Sequence, residues 1–255
     1  MYPKGIFFDL YGTLLIYGNM REAWSKWLNS LYDSFCRIGL KISKESLAQK
    51  CENFCGRSEI STQTNEGLTL FERQIQALCN DLGLYPSKNI LQKTANLAVQ
   101  AWQQYVSLDP EATQVLTELK SNKVLALISN FNHPPHIHSL LSELGIKSFF
   151  RTIIISGEVG VKKPDPTIFY MALDRTGLQP EQVVYVGDSE TDDAEGAYSA
   201  GIQPIIIQRQ RQDKNLLLLD FKADTNHPQD PIEVVVIPEN VKVISKLSSL
   251  MELFV

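Results

Sequence analysis

The stretch Gly5-Ile6-Phe7-Phe8-Asp9-Leu10-Tyr11-Gly12-Thr13-Leu14-Leu15 is an apolar run that meets one carboxylate and then breaks at a glycine. Ile6, Phe7 and Phe8 are apolar in succession rather than in alternation, the pattern of a short strand covered by helices on both faces of a parallel sheet. Asp9 then falls at the strand's carboxyl end, and open α/β sheets bind ligands in the crevice beyond those ends. Gly12 supplies backbone freedom for a turn, and Thr13 a hydroxyl. Taken alone, an aspartate before a glycine-containing turn reads equally well as turn chemistry, so the later segments decide.

The 255 residues, 44% of them hydrophobic, suffice for one large or two modest domains with packed cores. A net charge of -5 argues against nucleic acid or a membrane surface as partner, since both need a basic face, but leaves anionic small molecules open. Cys36, Cys51, Cys55 and Cys79 lack the paired spacings of a zinc site and read as reduced core thiols. The opening strand leaves no room for a secretory leader, and no apolar run approaches the ~20 residues of a bilayer span. A cytoplasmic protein is therefore expected, its oligomeric state undetermined.

After Leu15 the texture is helical for roughly ninety residues. Trp24, Trp27, Leu28, Leu31, Tyr32 and Phe35 recur at helical spacing up to Gly39. Further helices are expected from Ser43 through Leu47, Cys51 and Phe54 to Gly56, from Thr69 to Gly83, and from Ser87 to Tyr105, enough to close a small bundle. Leu108-Asp109-Pro110-Glu111 reads as the return linker, with Asp109 able to cap the next helix. Helices then alternate with strands: helix 112–119, strand 124–128, helix 137–144, strand 152–155, helix 166–176, strand 183–186, helix 192–200 and strand 204–207. Such alternation implies a parallel sheet. The tail adds an apolar run at 234–237 and a helix from about Val241, with Arg209 and Arg211 in a solvated loop.

Chemistry gathers where the later strands end. Ser129-Asn130 offers a hydroxyl and an amide able to bind a phosphate oxygen. Lys163, in Gly160-Val161-Lys162-Lys163-Pro164-Asp165-Pro166, stands just before a helix N-terminus, where its ammonium meets an anion that the helix dipole also favours. Gly187-Asp188-Ser189-Glu190-Thr191-Asp192-Asp193 crowds four carboxylates, which is costly unless a cation is shared, so a hard metal such as Mg²⁺ is expected.

These four segments, with Ile168-Phe169 and Gly196-Ala197, resemble in order and spacing the four motifs of the haloacid dehalogenase (HAD) superfamily. The resemblance implies a Rossmann-like α/β core of residues 1–16 plus 108–255 and an inserted all-α helical-bundle cap of the type 1 form at 17–107. It implies that Asp9 is the nucleophile and that Ser129 and Lys163 hold the transferring group, with Thr13 and Asn130 as further substrate contacts. It implies a Mg²⁺ site of Asp9, the carbonyl of Tyr11 and Asp188, supported from behind by Asp193 or Asp192, with Asp193 preferred by its spacing to Gly196.

One position departs from the pattern. Phosphatases of the family usually carry a second aspartate two residues after the nucleophile as acid and base, and this chain has Tyr11. A phenol of pKa ≈ 10 can donate a proton but is a poor base at neutral pH. The same departure occurs in the metal-independent 2-haloacid dehalogenases. Against that reading, the Asp188–Asp193 cluster would have no use without metal, and Arg37 lacks the setting of the dehalogenases' halide-cradling arginine. The expected activity is Mg²⁺-dependent hydrolysis of small phosphate esters through an aspartyl-phosphate; the alternatives are a 2-haloacid dehalogenase and a catalytically weakened binding protein. His133, His136 and His138, separated by prolines and without patterned partners, read as a capping loop rather than a metal site, although His133 is near enough to touch substrate. Cys51 with Cys55, and Trp24 with Trp27 and Tyr32, read as helical core.

Overall fold

The computed structural model describes residues 3–51, 54, 67–209 and 241–255. Over these the chain runs β1 (Gly5–Phe8), β2 (Leu15–Tyr17), α1 (Met20–Cys36), α2 (Lys44–Cys51), α3 (Leu70–Asp81), α4 (Lys88–Gln103), β3 (Val106–Leu108), α5 (Ala112–Lys120), β4 (Val124–Ser129), α6 (Pro134–Glu143), β5 (Thr152–Ile155), α7 (Ser156–Val159), α8 (Pro166–Thr176), β6 (Val183–Gly187), a π-helical turn (Glu190–Glu195), α9 (Gly196–Ser199), β7 (Gln203–Ile207), β8 (Lys242–Ile244) and α10 (Ser249–Phe254).

β1 is interior to a sheet of order β5-β4-β1-β6-β7-β8, with every pairing parallel. This is a Rossmann-like α/β core, as the alternation of elements predicts. Ile6, Phe7 and Phe8 are all fully buried, because the sheet is covered on both faces. Ile6 and Phe8 join the apolar cluster that includes Val115, Leu116 and Leu119 of α5. Phe7 points the other way, to Ile168, Phe169 and Ala172 of α8. After β1 the chain builds β4 and β5 on one side of it and then crosses to build β6, β7 and β8 on the other, so the crevice of such sheets opens at the end of β1.

Helices α1 to α4 form an insert between β2 and β3. α1 packs along α4, and α4 against α3, with Trp27, Leu31, Ile75, Leu91 and Ala95 fully or almost fully buried. Trp24 stacks on the fully buried Trp27 at 4.7 Å, and Trp24 and Tyr32 pack half-buried against the core that Trp27, Leu31 and Phe35 enter. α3 begins in a capping box: Thr69 accepts from the Glu72 amide while the Glu72 carboxylate accepts from the Thr69 amide. No described helix is long and apolar enough to cross a membrane.

Several sequence expectations need correction. β2 and β3 pair antiparallel at the two points where the chain enters and leaves the insert; three-residue strands are too short to show a period, and the fourth helix was expected to run through Tyr105. Lys242–Ile244 is a strand beside β7 rather than the start of the last helix, which begins at Ser249. The turn after β6 is π-helical over Glu190–Glu195 before α9, and α6 starts three residues earlier than expected, at Pro134. Cys36 is exposed, while Cys51 and Cys79 are buried thiols. Cys55, Arg211, the far end of the second helix and the apolar run at 234–237 lie outside the described residues.

Candidate active site

Asp9 is placed by the sheet itself. Its amide donates to Val186 O at 2.9 Å, continuing the β1–β6 register one residue past β1 and setting Asp9 beside the end of β6. Lys163 arrives from the loop between α7 and α8. Its Nζ donates to Asp9 Oδ1 and Asp193 Oδ1, both at 2.6 Å, and to the Tyr185 hydroxyl at 3.0 Å. Burial would pull this ammonium down, but the charges of Asp193 and Asp9 outweigh it and hold the lysine above its ordinary value.

Asn130 explains why the lysine reaches so far into the core. Its Oδ1 accepts from the Lys163 amide at 2.9 Å and its Nδ2 donates to the Lys163 carbonyl at 3.0 Å. The Asn130 side chain thus brackets the backbone of Lys163 from both of its polar ends. Ser129 ends β4 and is buried. Thr13 is fully buried, and its Oγ1 has no hydrogen-bond partner among the described residues.

The acidic cluster divides by what each carboxylate already holds. Asp193 takes Lys163 and the Tyr185 hydroxyl, at 3.1 Å, on Oδ1, and the amides of Asp188 and Ser189, each at 3.0 Å, on Oδ2. It can approach those amides because Gly187 has no side chain: a methyl there would lie 2.3 Å from Asp193 Cγ. The Ser189 hydroxyl accepts from the Asp192 amide and starts the π-helical turn that presents both aspartates. Asp192 is buried, with Oδ2 3.5 Å from Asn130 Nδ2. Asp188 lies against Gly12, whose φ is +87° and where a methyl would fall 2.2 Å from Asp188 Oδ2. Carboxylate oxygens of Asp9, Asp188 and Asp193 come within 4.8 Å of one another. Three carboxylates so close to one ammonium form an oxygen-only, electron-rich cluster that suits a hard divalent cation.

Tyr11 packs between the core and the helical insert. Its ring is buried, stacked on Phe131 at 5.3 Å and tilted against Trp102 at 5.3 Å. The hydroxyl donates to Gln103 Oε1 at 2.7 Å, and that oxygen also meets His136 Nε2 at 3.0 Å. Burial, then the charge of Asp9, push the phenol well above its ordinary pKa. The expected proton donor thus has its proton in use on the helical insert.

The histidines take separate partners. His133 is buried between Thr69 Oγ1 and Asn96 Oδ1, each at 2.9 Å, and His138 pairs with Glu158 at 2.6 Å. Sequence reasoning missed three residues. Tyr185 passed for strand core, and Gln103 was unremarked within the helix expected from Ser87 to Tyr105. Arg209, read as a solvated loop residue, instead donates to the carbonyls of Gly12 and Thr13 and to Asp109. Only a hydroxyl in an otherwise apolar strand hinted at Tyr185.

Comparisons with known proteins bear on the family of the chain. The chain is 30% identical over 210 residues, 80% of its length and 85% of the relative's, to a glyceraldehyde 3-phosphate phosphatase of Methanothermobacter thermautotrophicus. A second match, 40% identical over 102 residues to a glyceraldehyde 3-phosphate phosphatase of Methanopyrus kandleri, spans 37% of the chain and only 42% of that relative. The fold superposes with a TM-score of 0.65 on a 2-haloacid dehalogenase from Pseudomonas syringae pv. tomato, at 22% identity over 98% of this chain and 97% of the other. The sequence profile of the haloacid dehalogenase-like hydrolases matches residues 3–201, and the chain belongs to that family.

Proposed function

We propose that the protein is a phosphatase of small phosphate monoesters that works through a covalent aspartyl-phosphate on Asp9. The observation that carries this reading is Lys163 held between Asp9 and Asp193, with Asp188 completing a trio of carboxylates at the crevice. The phosphatase names of the relatives support it. In this reading an Asp9 carboxylate oxygen attacks phosphorus, the bond to the ester oxygen breaks, and the leaving group departs with that electron pair. Water then attacks the phosphoryl group, regenerating the carboxylate and releasing phosphate. Lys163 keeps Asp9 ionised and aimed, and neutralises part of the incoming charge. Asp193, whose oxygens already hold four partners, orients Lys163 and the turn at Asp188. Asp9, Asp188 and the Tyr11 carbonyl would hold Mg²⁺, which as a Lewis acid supplies further charge neutralisation at the phosphoryl oxygens. The Thr13 hydroxyl and Ser129 are the remaining substrate contacts, and the helical insert acts as the cap that selects the ester.

Tyr11 in place of a carboxylate favours a second reading, displacement of halide from a 2-haloacid by Asp9. A panel of phosphate esters with Mg²⁺, run beside 2-chloropropionate with EDTA, separates the two. Phosphate release that EDTA abolishes is the expected result; metal-independent chloride release would replace the proposal, and inactivity on both panels would point to a binding protein.

A further inference from the structure

The chain crosses between core and insert twice, and the two crossings are stitched side by side. β2 pairs with β3, the Gly18 amide donates to Tyr105 O at 2.8 Å, and the Asp109 amide donates to Leu14 O at 2.9 Å. One further group reaches both crossings from a third part of the chain. Arg209, two residues past β7, donates from Nη1 to Gly12 O and from Nη2 to Thr13 O and Asp109 Oδ2. The other Asp109 oxygen accepts from the Glu111 amide at 2.8 Å, so this carboxylate is fixed at the start of α5. Asp109 is almost fully buried and the Arg209 side chain is only 21% exposed, so the contact is screened less than a surface pair.

We infer that Arg209 is a positioning residue that clamps the two crossings together and, by fixing the Gly12–Thr13 peptides, sets where Asp188 stands relative to Asp9; this rests on the metal-assisted reading above. The physical link is short. Gly12 packs directly on the Asp188 carboxylate, with no room for even a methyl between them. A carbonyl that swings takes its peptide plane with it, so releasing Gly12 O and Thr13 O lets this backbone shift against Asp188. A planar guanidinium offers donors in a fixed fork, able to serve three acceptors that diverge around it. A lysine would bring one flexible point charge to the same place.

The test compares the wild type with Arg209→Gln and Arg209→Lys by amide hydrogen exchange and by calorimetric titration with Mg²⁺, neither of which needs turnover. In Arg209→Gln, faster exchange confined to segments 12–18 and 105–111 is expected, with Mg²⁺ affinity lowered about tenfold or more, the usual scale for losing a group that orients a metal ligand. Arg209→Lys should fall between the two and, if the glutamine variant fails to fold, carries the comparison. Unchanged exchange in those segments overturns the clamp. Faster exchange with Mg²⁺ affinity equal to wild type overturns its control of Asp188. A wild type that binds no Mg²⁺, with exchange still accelerated in the variant, sinks the metal-assisted reading and leaves the clamp standing.

Discussion

Replacing Tyr11 by phenylalanine separates a structural hydroxyl from a catalytic one. The change removes a single oxygen whose proton lies on Gln103 Oε1, 2.7 Å away. That acceptor keeps His136 Nε2 at 3.0 Å, so no buried group is orphaned, and the ring keeps its stacking on Phe131. The loss is then one ordinary hydrogen bond, about 1 kcal/mol, or a fall in Tm of roughly 2–4 °C for a chain of this size. Turnover should stay within about twofold, because removing a true general acid costs on the order of 10²–10⁴ in rate. The assay is steady-state kcat and KM on p-nitrophenyl phosphate and on glycerol phosphate, with thermal melts in parallel. With no proton donor at this position the aryl ester should turn over faster than the alkyl ester, and the variant should leave that ratio unchanged. A fall in kcat beyond about a hundredfold, with Tm untouched, would refute the reasoning.

Asp9→Asn should abolish turnover on every phosphate ester, since the attacking carboxylate is gone while Lys163 keeps Asp193; residual activity in a clean preparation would remove the nucleophile assignment. EDTA should suppress phosphate release reversibly, and Asp188→Ala should resist rescue by added Mg²⁺, which phosphate-release assays over a metal titration can check. Burial holds His133 and His136 down to about 4 from 6.5, so both fold neutral. Below pH 6.5 the unfolded chain binds more protons, and stability present above that pH is lost as pH falls toward 4, on the order of 2 kcal/mol for His133 at pH 5. Urea unfolding at pH 7.5 and pH 5 measures it; equal midpoints would show that His133 is not held neutral.

The sheet was legible because its strands are buried on both faces and so appear as unbroken apolar runs, Ile6–Phe8 and Val183–Val186 among them. Asp9 stands out for the same reason, as the charge that ends the first of these runs, whereas Lys163 stands out by its place before a helix N-terminus and Asp193 by the crowding of carboxylates after β6. What escaped is set by contacts between distant residues. Tyr11 was visible as a departure, but its burial depends on Phe131 and Trp102, which are 120 and 91 positions away. Arg209 sits among glutamines that suggest solvent, and its acceptors are mostly backbone carbonyls, which leave no trace in residue identity. β2 and β3 hold only three residues each, and their pairing depends on an insert returning to its starting point.

The contact between Gly12 and Asp188 means that the site is keyed by a missing atom. At Gly39 or Gly83 an added methyl meets no other group within 4 Å, and only the left-handed backbone resists a side chain. At position 12 the newcomer also collides with a carboxylate, so even alanine forces Asp188 to shift. A saturation library there should respond as a switch with one permissive letter, whatever the size or polarity of the replacement.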